Sequence, residues 1–242
     1  MYKESFLMAW ASLIANKMRS ILTMLGIIIG VAAVIALVSI GNGVKQDIQN
    51  SISSLGSNLL MVMPGAPRTP GVRPTPGSMK SLKVADYEAI AKLDGVKAAS
   101  PMTNGAYVVI YQNKNWTTSV SGVNANYLDV NNWSMKSGRF LSEKNVQNRE
   151  RVAVVGKTVV KNLFGDENPV GAEIRVKNIP FRIIGVLNSK GSGAMGNDQD
   201  DMVIIPYTTA MERVDGIDYL RMIYVVGKDE NGIDRLQSDI EN

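Results

Sequence analysis

Three short stretches carry residue types that could do chemistry. Gly156-Lys157-Thr158 follows an apolar run and opens a helical pattern, as the end of a phosphate-binding loop does. That loop needs a second glycine five residues before Gly156, so that backbone N–H groups can wrap a phosphate, and Arg151 stands there instead. The cradle is missing, and ATP binding is excluded. Ser192 lies between Gly191 and Gly193 and close to Lys190, the arrangement from which a Ser-Lys nucleophile would be built. A loop of small polar residues explains the same composition better. Asp198, Asp200 and Asp201 are the third stretch, but they lack the spacing and the terminal Glu of a calcium loop.

The chain has no His and no Cys. Ser-His-Asp triads, zinc sites, thiol nucleophiles and disulfide frameworks are therefore excluded, and the redox compartment cannot be read. The sequence predicts no catalytic residue, no cofactor and no metal, hence no enzyme. A net charge of +4, dispersed along 242 residues, does not make a nucleic-acid face. Hydrophobic residues at 45% and charged residues at 20% suffice for a packed core.

The elements that must position these stretches begin with a membrane segment. Residues 21–40, ILTMLGIIIGVAAVIALVSI, contain no charge and are long enough to cross a hydrocarbon core as a helix. Gly26 and Gly30 form a G-x-x-x-G step that lets another helix approach closely. The run is too long for a signal peptide, and Ser39-Ile40-Gly41 makes a poor cleavage site. Lys17 and Arg19 flank the span on its N-terminal side, so the positive-inside bias places the N-terminus in the cytoplasm and the rest outside. Residues 4–16 carry Phe6, Leu7, Trp10, Leu13 and Ile14 at helical spacing and predict an amphipathic helix on the inner membrane surface, with Trp10 at interface depth. Val44, Ile48, Ile52 and Leu55 continue the helical period out of the membrane as a stalk that Gly56 ends.

The remainder predicts an α+β fold in an extracytoplasmic domain. Asn58–Met63 reads as a strand. Residues 64–77, PGAPRTPGVRPTPG, read as an extended loop, and a helix spans Leu82–Leu93. Strands are expected at Val96–Pro101, Ala106–Tyr111 and Trp116–Val123, with a hairpin turn at Asn113, Lys114 and Asn115. Shorter elements follow. Strands are expected at Arg151–Val155, Ile174–Val176, Phe181–Val186, Met202–Ile205 and Tyr219–Val226. Helices are expected at Lys157–Phe164, Tyr207–Arg213 and from Gly232 onward. Residues 188–201, NSKGSGAMGNDQDD, predict a mobile surface loop. The open-ended last helix suggests a fragment.

Certain runs resemble a known family. The run from Asn16 to Gly30, NKMRSILTMLGIIIG, is similar to the first span of MacB/FtsX-type ABC transporter permeases. So are Val152-Ala153-Val154-Val155-Gly156, Leu163-Phe164-Gly165, Asn168-Pro169-Val170-Gly171, Ile184-Gly185-Val186 and Ile204-Ile205-Pro206. The resemblance covers the chain in order, but three further spans and the ATPase of such systems are not in it. It implies a core domain over 41–242, after a cytoplasmic helix at 1–19 and a span at 20–40. That domain would combine a porter-like part (44–125 and 217–242) with an inserted small α/β part (126–216). It further implies an exporter permease in the cell membrane. Its partners would be a separate cytoplasmic ABC ATPase, a second permease copy, membrane lipid and an extracytoplasmic adaptor. Pro64, Arg68, Arg73, Lys190, Ser192 and Asp198 mark the loops that would contact a partner. The alternatives are a single-span ligand-binding or regulatory domain, an FtsX-like regulator of cell-wall hydrolases, and an anchored hydrolase.

Overall fold

In a computed structural model, the described residues are 3–6, 8, 15–55, 58–65, 80–193, 196–229 and 232–241. The chain divides into two units, Met1–Asn50 and Ser51–Asn242. In the first, helix α1 (Lys17–Leu55) runs for 39 residues. It has no charged residue between Arg19 and Lys45, and its Ile, Leu and Val side chains are exposed all round. Span and stalk are thus one helix, Lys17–Leu55, while Gly56, the glycine expected to end it, lies outside the described residues. Within Lys17–Lys45 an 18-residue window reaches a mean hydropathy of 2.9, and the stretch is long enough to cross a membrane. Of the amphipathic segment at 4–16, residues 4–6 and 8 are helical, while Leu7, Trp10, Leu13 and Ile14 lie outside the described residues.

The second unit is built on one continuous strand path. Its strands are β1 (Leu59–Val62), β2 (Val96–Tyr111), β3 (Lys114–Val123), β4 (Met135–Gly138), β5 (Val152–Val155), β6 (Glu173–Val176), β7 (Ile179–Leu187), β8 (Met202–Pro206) and β9 (Met222–Gly227). Their order is β1-β9-β2-β3-β8-β5-β7-β4, with β6 bridging β2 and β7. β9 is antiparallel to both β1 and β2, whereas β3–β8 and β5–β7 pairs are parallel. The helices are α2 (Val84–Ile90), α3 (Tyr127–Val130), α4 (Glu143–Gln147), α5 (Lys157–Leu163), α6 (Tyr207–Thr209) and α7 (Ile233–Glu241).

Several expectations need correcting. Val96–Pro101 and Ala106–Tyr111 are not separate strands but one strand of 16 residues. Thr103, Asn104 and Gly105 look like a break, yet they pair with Gly122, Ser121 and Val120 of β3. β2 follows β9 as far as Met102 and then changes partner to β3 at Thr103. The hairpin turn also sits earlier than expected: Tyr111 faces Lys114, and Gln112 takes φ 52° in a two-residue turn with Asn113. The turn at Lys177 and Asn178 is as expected, with φ of 51° and 67°. Tyr207–Arg213 is helical, but α6 passes into a π-helical segment, Ala210–Asp215, ended by Gly216 at φ 66°. Tyr219 to Arg221 precede β9 rather than belong to it. The short α3, β4 and α4 have no clear period and escape a sequence reading.

The apolar core falls into three clusters. One packs α5 and the π-helical segment onto the sheet around Phe181, Leu163 and Ile205. Another packs α2 and α7 onto β1, β2 and β9 around Leu220, Ile223 and Leu236. The third joins α3 to β5, β7 and β8 around Tyr127, Leu187 and Ile204. Each fully buried aliphatic or Phe side chain contributes about 1.5–3 kcal/mol relative to exposure. Gly122, on β3, marks the tightest packing of a helix on the hairpin. A Cβ there would lie 2.4 Å from the Ala210 Cβ, 2.6 Å from the Thr103 Oγ1 and 3.0 Å from the Tyr207 Cα.

Two measurements check this packing. Gly122→Ala forces a methyl group into that contact and is expected to destabilise the domain by about 1–3 kcal/mol in urea unfolding. A change under about 0.5 kcal/mol would show that α6 can move away. Burial also holds phenols protonated. Tyr107 and Tyr207 are pushed up to about 12 from 10, and Tyr87, Tyr127 and Tyr224 are also raised. Raised folded-state values mean that this contribution to stability is complete below pH 10 and is lost as pH rises from 10 through about 12. Tyrosinate absorbance at 295 nm should therefore lag behind that of the urea-unfolded chain at pH 11. Superimposable titrations would refute the packing of these rings.

Candidate functional site

Residues 188–201, the loop between β7 and β8, bring together Lys190, Ser192 and Asp198. Ser192 and Asp198 face each other in an antiparallel bridge. Gly193 N donates to Asn197 O at 2.8 Å, and Gln199 N donates to Gly191 O at 3.1 Å, so the loop is a small hairpin. Its organiser is Asp200, only 4% exposed. The Asp200 carboxylate accepts from the Ser189 hydroxyl, from Lys190 N at 2.8 Å and from Gly191 N at 3.2 Å. Asp198 accepts from the Thr158 hydroxyl at 2.6 Å and from Asp200 N at 2.8 Å. Asp201 accepts from the Trp116 indole N–H at 2.8 Å. All three aspartates that suggest calcium in the sequence thus have protein donors. Among the described residues, no group of three or more His, Cys, Asp or Glu is placed to hold a metal.

The Gly-Lys-Thr stretch has its own explanation here. Gly156 precedes α5, and a Cβ on it would sit 2.1 Å from the Asp200 carbonyl oxygen. Glycine is required because the loop crosses the start of α5 at contact distance, and Thr158 is the side chain that holds Asp198. Lys190 reaches the other way. Its ammonium donates to Asn131 O at 2.7 Å and lies 4.7 Å above the Trp133 ring. Burial lowers its pKa from the usual lysine value. Asn188 Nδ2 adds a bond to the Ser134 hydroxyl at 2.8 Å. Lys190 is therefore bound to the segment after α3, and Ser192 is exposed on the hairpin without a base from that lysine. Sequence reasoning missed Asp200 as organiser, along with Asn131, Trp133 and Thr158. The Gly-Lys-Thr stretch and the aspartates stood out in the sequence, but nothing there showed that they hold each other.

In the apolar helix, Gly26 and Gly30 lie one turn apart on one face, and a Cβ on either would meet nothing within 4 Å. Lys17 and Arg19 are exposed at its N-terminal end. The Thr23 hydroxyl bonds back to Arg19 O at 2.9 Å and Ser20 O at 3.0 Å, which satisfies it inside the helix. Pro64 is buried just after β1, whereas Trp10, Arg68 and Arg73 lie outside the described residues.

Comparison with known proteins follows the same outline. The family model for the MacB-like periplasmic core domain matches residues 20–242. A macrolide export ATP-binding/permease protein MacB from Rhodospirillum rubrum is 43% identical over 243 residues, covering 100% of this chain and 37% of that protein. The protein of the same name from Chlorobium luteolum is 39% identical over 227 residues, covering 93% of this chain and 34% of that one. The chain thus spans about a third of the length of these relatives. The crystal structure of the periplasmic region of MacB from Actinobacillus actinomycetemcomitans superposes with a TM-score of 0.67 at 25% identity, covering 78% of this chain and 83% of that one. The extracellular domain of the noncanonic ABC-type transporter YknZ from Gram-positive bacteria shares the fold, with a TM-score of 0.61 at 18% identity, covering 74% of this chain and 88% of that one. Matched from its apolar helix through α7, the chain belongs to the family of MacB-like ABC transporter permeases, as the periplasmic core domain together with the helix that precedes it.

Proposed function

We propose that the chain is the membrane-anchored outer part of an exporter permease, moved by an ABC ATPase and lacking catalysis of its own. The observation that carries this reading is α1. At about 1.5 Å per residue its 39 residues form a rod of about 58 Å, and no break separates the apolar window from the ten residues after Lys45. A rod of this kind transmits displacement instead of absorbing it. The names of the relatives supply the class of work, ATP-dependent export, and point to macrolide-like substrates. ATP hydrolysis is assigned to an ABC ATPase outside these residues, as the ATP-binding/permease names of the relatives suggest, because the Gly156-Lys157-Thr158 stretch has no phosphate cradle.

In this reading Lys17 and Arg19 lie at the cytoplasmic end, and the second unit is extracytoplasmic. Gly26 and Gly30 give close approach to a second permease copy. The domain divides into a porter-like part (44–125 and 217–242) and an insert (126–216). Both share the β2–β3 hairpin, because β2 pairs with β9 of the former and β3 pairs with β8 of the latter. The hairpin around Ser192 and Asp198 is the surface offered to an adaptor or substrate.

Two experiments test this. The chain has no Cys, so single cysteines report topology cleanly. Lys114→Cys should react with an impermeant maleimide from outside intact cells, and Glu4→Cys only after the membrane is opened. The reverse pattern would overturn the orientation. Gly26→Leu with Gly30→Leu should abolish crosslinking between permease copies and lower macrolide export at least about tenfold, a loss of about 1.4 kcal/mol in coupling, with the circular dichroism spectrum unchanged. Unaltered dimer and export would remove the glycine face from the mechanism.

A further inference from the structure

Three methionines form a row across β1, β9 and β2. Met102 of β2 is paired directly with Met222 of β9. On the other side of β9, Val62 of β1 is paired with Ile223, so the next step along that ladder sets Met63 opposite Met222. Directly opposed residues of antiparallel strands share a face, with Cβ atoms about 5 Å apart. Alternation along the strands fixes which face this is. Leu60, Val62, Ile223 and Val225 enter the cluster packed by α2 and α7, so the three methionines lie on the opposite side of the sheet.

Packing alone does not call for the row. Met102 leans on the third core cluster at one end, Met222 is half-buried, and Met63 at the other end is 47% exposed. Strands favour β-branched and aromatic side chains, and β9 follows that rule at Ile223, Tyr224, Val225 and Val226 but not at Met222.

What the three residues share is their sulfur chemistry. A thioether is a soft, polarisable, neutral donor, suited to Cu(I) and not to Mg or Ca, which take oxygen ligands. The outer two Cβ atoms stand about 10 Å apart, two strand spacings. Met has three rotatable bonds, so both outer side chains can lean over the middle one and aim at a single ion. With metal–sulfur distances of about 2.3 Å, the sulfurs need only come within about 4 Å of one another. The chain has no Cys and no His, so no thiolate or imidazole competes for such an ion. Entry would be from the Met63 end, which is open to solvent.

We propose that Met63, Met222 and Met102 form a binding site for one soft univalent cation, Cu(I) or Ag(I), held by thioethers alone. The inference rests on strand register and ligand chemistry and stands apart from the transport reading.

The test titrates the 242-residue chain, solubilised in detergent, with Ag(I) in chloride-free buffer by isothermal titration calorimetry. One ion per chain should bind in the tightest class, with a first shell of sulfur only in X-ray absorption. Met63→Leu, Met222→Leu and Met102→Leu conserve volume, and each should weaken that binding at least about tenfold with an unchanged circular dichroism spectrum. Met202→Leu, on β8 and outside the row, should leave it as it was. Binding no tighter than that of free methionine would overturn the proposal. So would binding that survives all three substitutions together, or a loss on Met202→Leu as large as on the row variants.

Discussion

The architecture of the second unit depends on the exchange of partners along β2. One strand of 16 residues serves two sheet segments, with β9 as neighbour up to Met102 and β3 from Thr103. Because the backbone ladder is continuous through that point, every element on one side is fixed relative to every element on the other. Gly122 sits opposite Thr103, and its missing side chain admits the start of the π-helical segment at Ala210. A ladder change, a glycine and a helix start coincide, and two of the three core clusters meet there. Met211 of that segment packs with the α2–α7 cluster, and its neighbour Ala210 packs with the α5 cluster.

The helix before this domain obeys a different constraint. Its apolar side chains are exposed all round, which water would penalise heavily, and only a hydrocarbon environment or partner helices relieve that cost. The two halves of the chain therefore answer to two solvents. The domain folds by burying apolar surface away from water, and the helix by placing it in lipid. A mixed composition near neutral mean hydropathy is the average of these two opposite solutions.

Much of this could be read from residues alone, and the exceptions have physical causes. The apolar run of α1 is long and uncharged, so its limits were visible. The strands β5, β6, β7 and β8 are short apolar runs bounded by turn residues, and they fell close to their expected places. The join within β2 was not legible, because Thr103-Asn104-Gly105 is a break by propensity and becomes a strand only through pairing with β3. The π-helical segment has the apolar spacing of an α-helix, so nothing local distinguishes it. At the hairpin of 188–201 the residues that matter were visible, but the composition read as a mobile surface loop and their partners were not legible. Asp198 and Asp200 look like ion ligands until Thr158 and the loop amides are seen to occupy them.

The same hairpin has a consequence for the medium in which it works. Many loops outside cells are held by calcium or by disulfides, and so depend on ion supply or on redox state. This loop is tied by an internal carboxylate, two backbone amides and a serine hydroxyl, all supplied by the chain itself. A tie of this kind draws on groups that the chain carries with it, not on an ion or an oxidant taken from the medium.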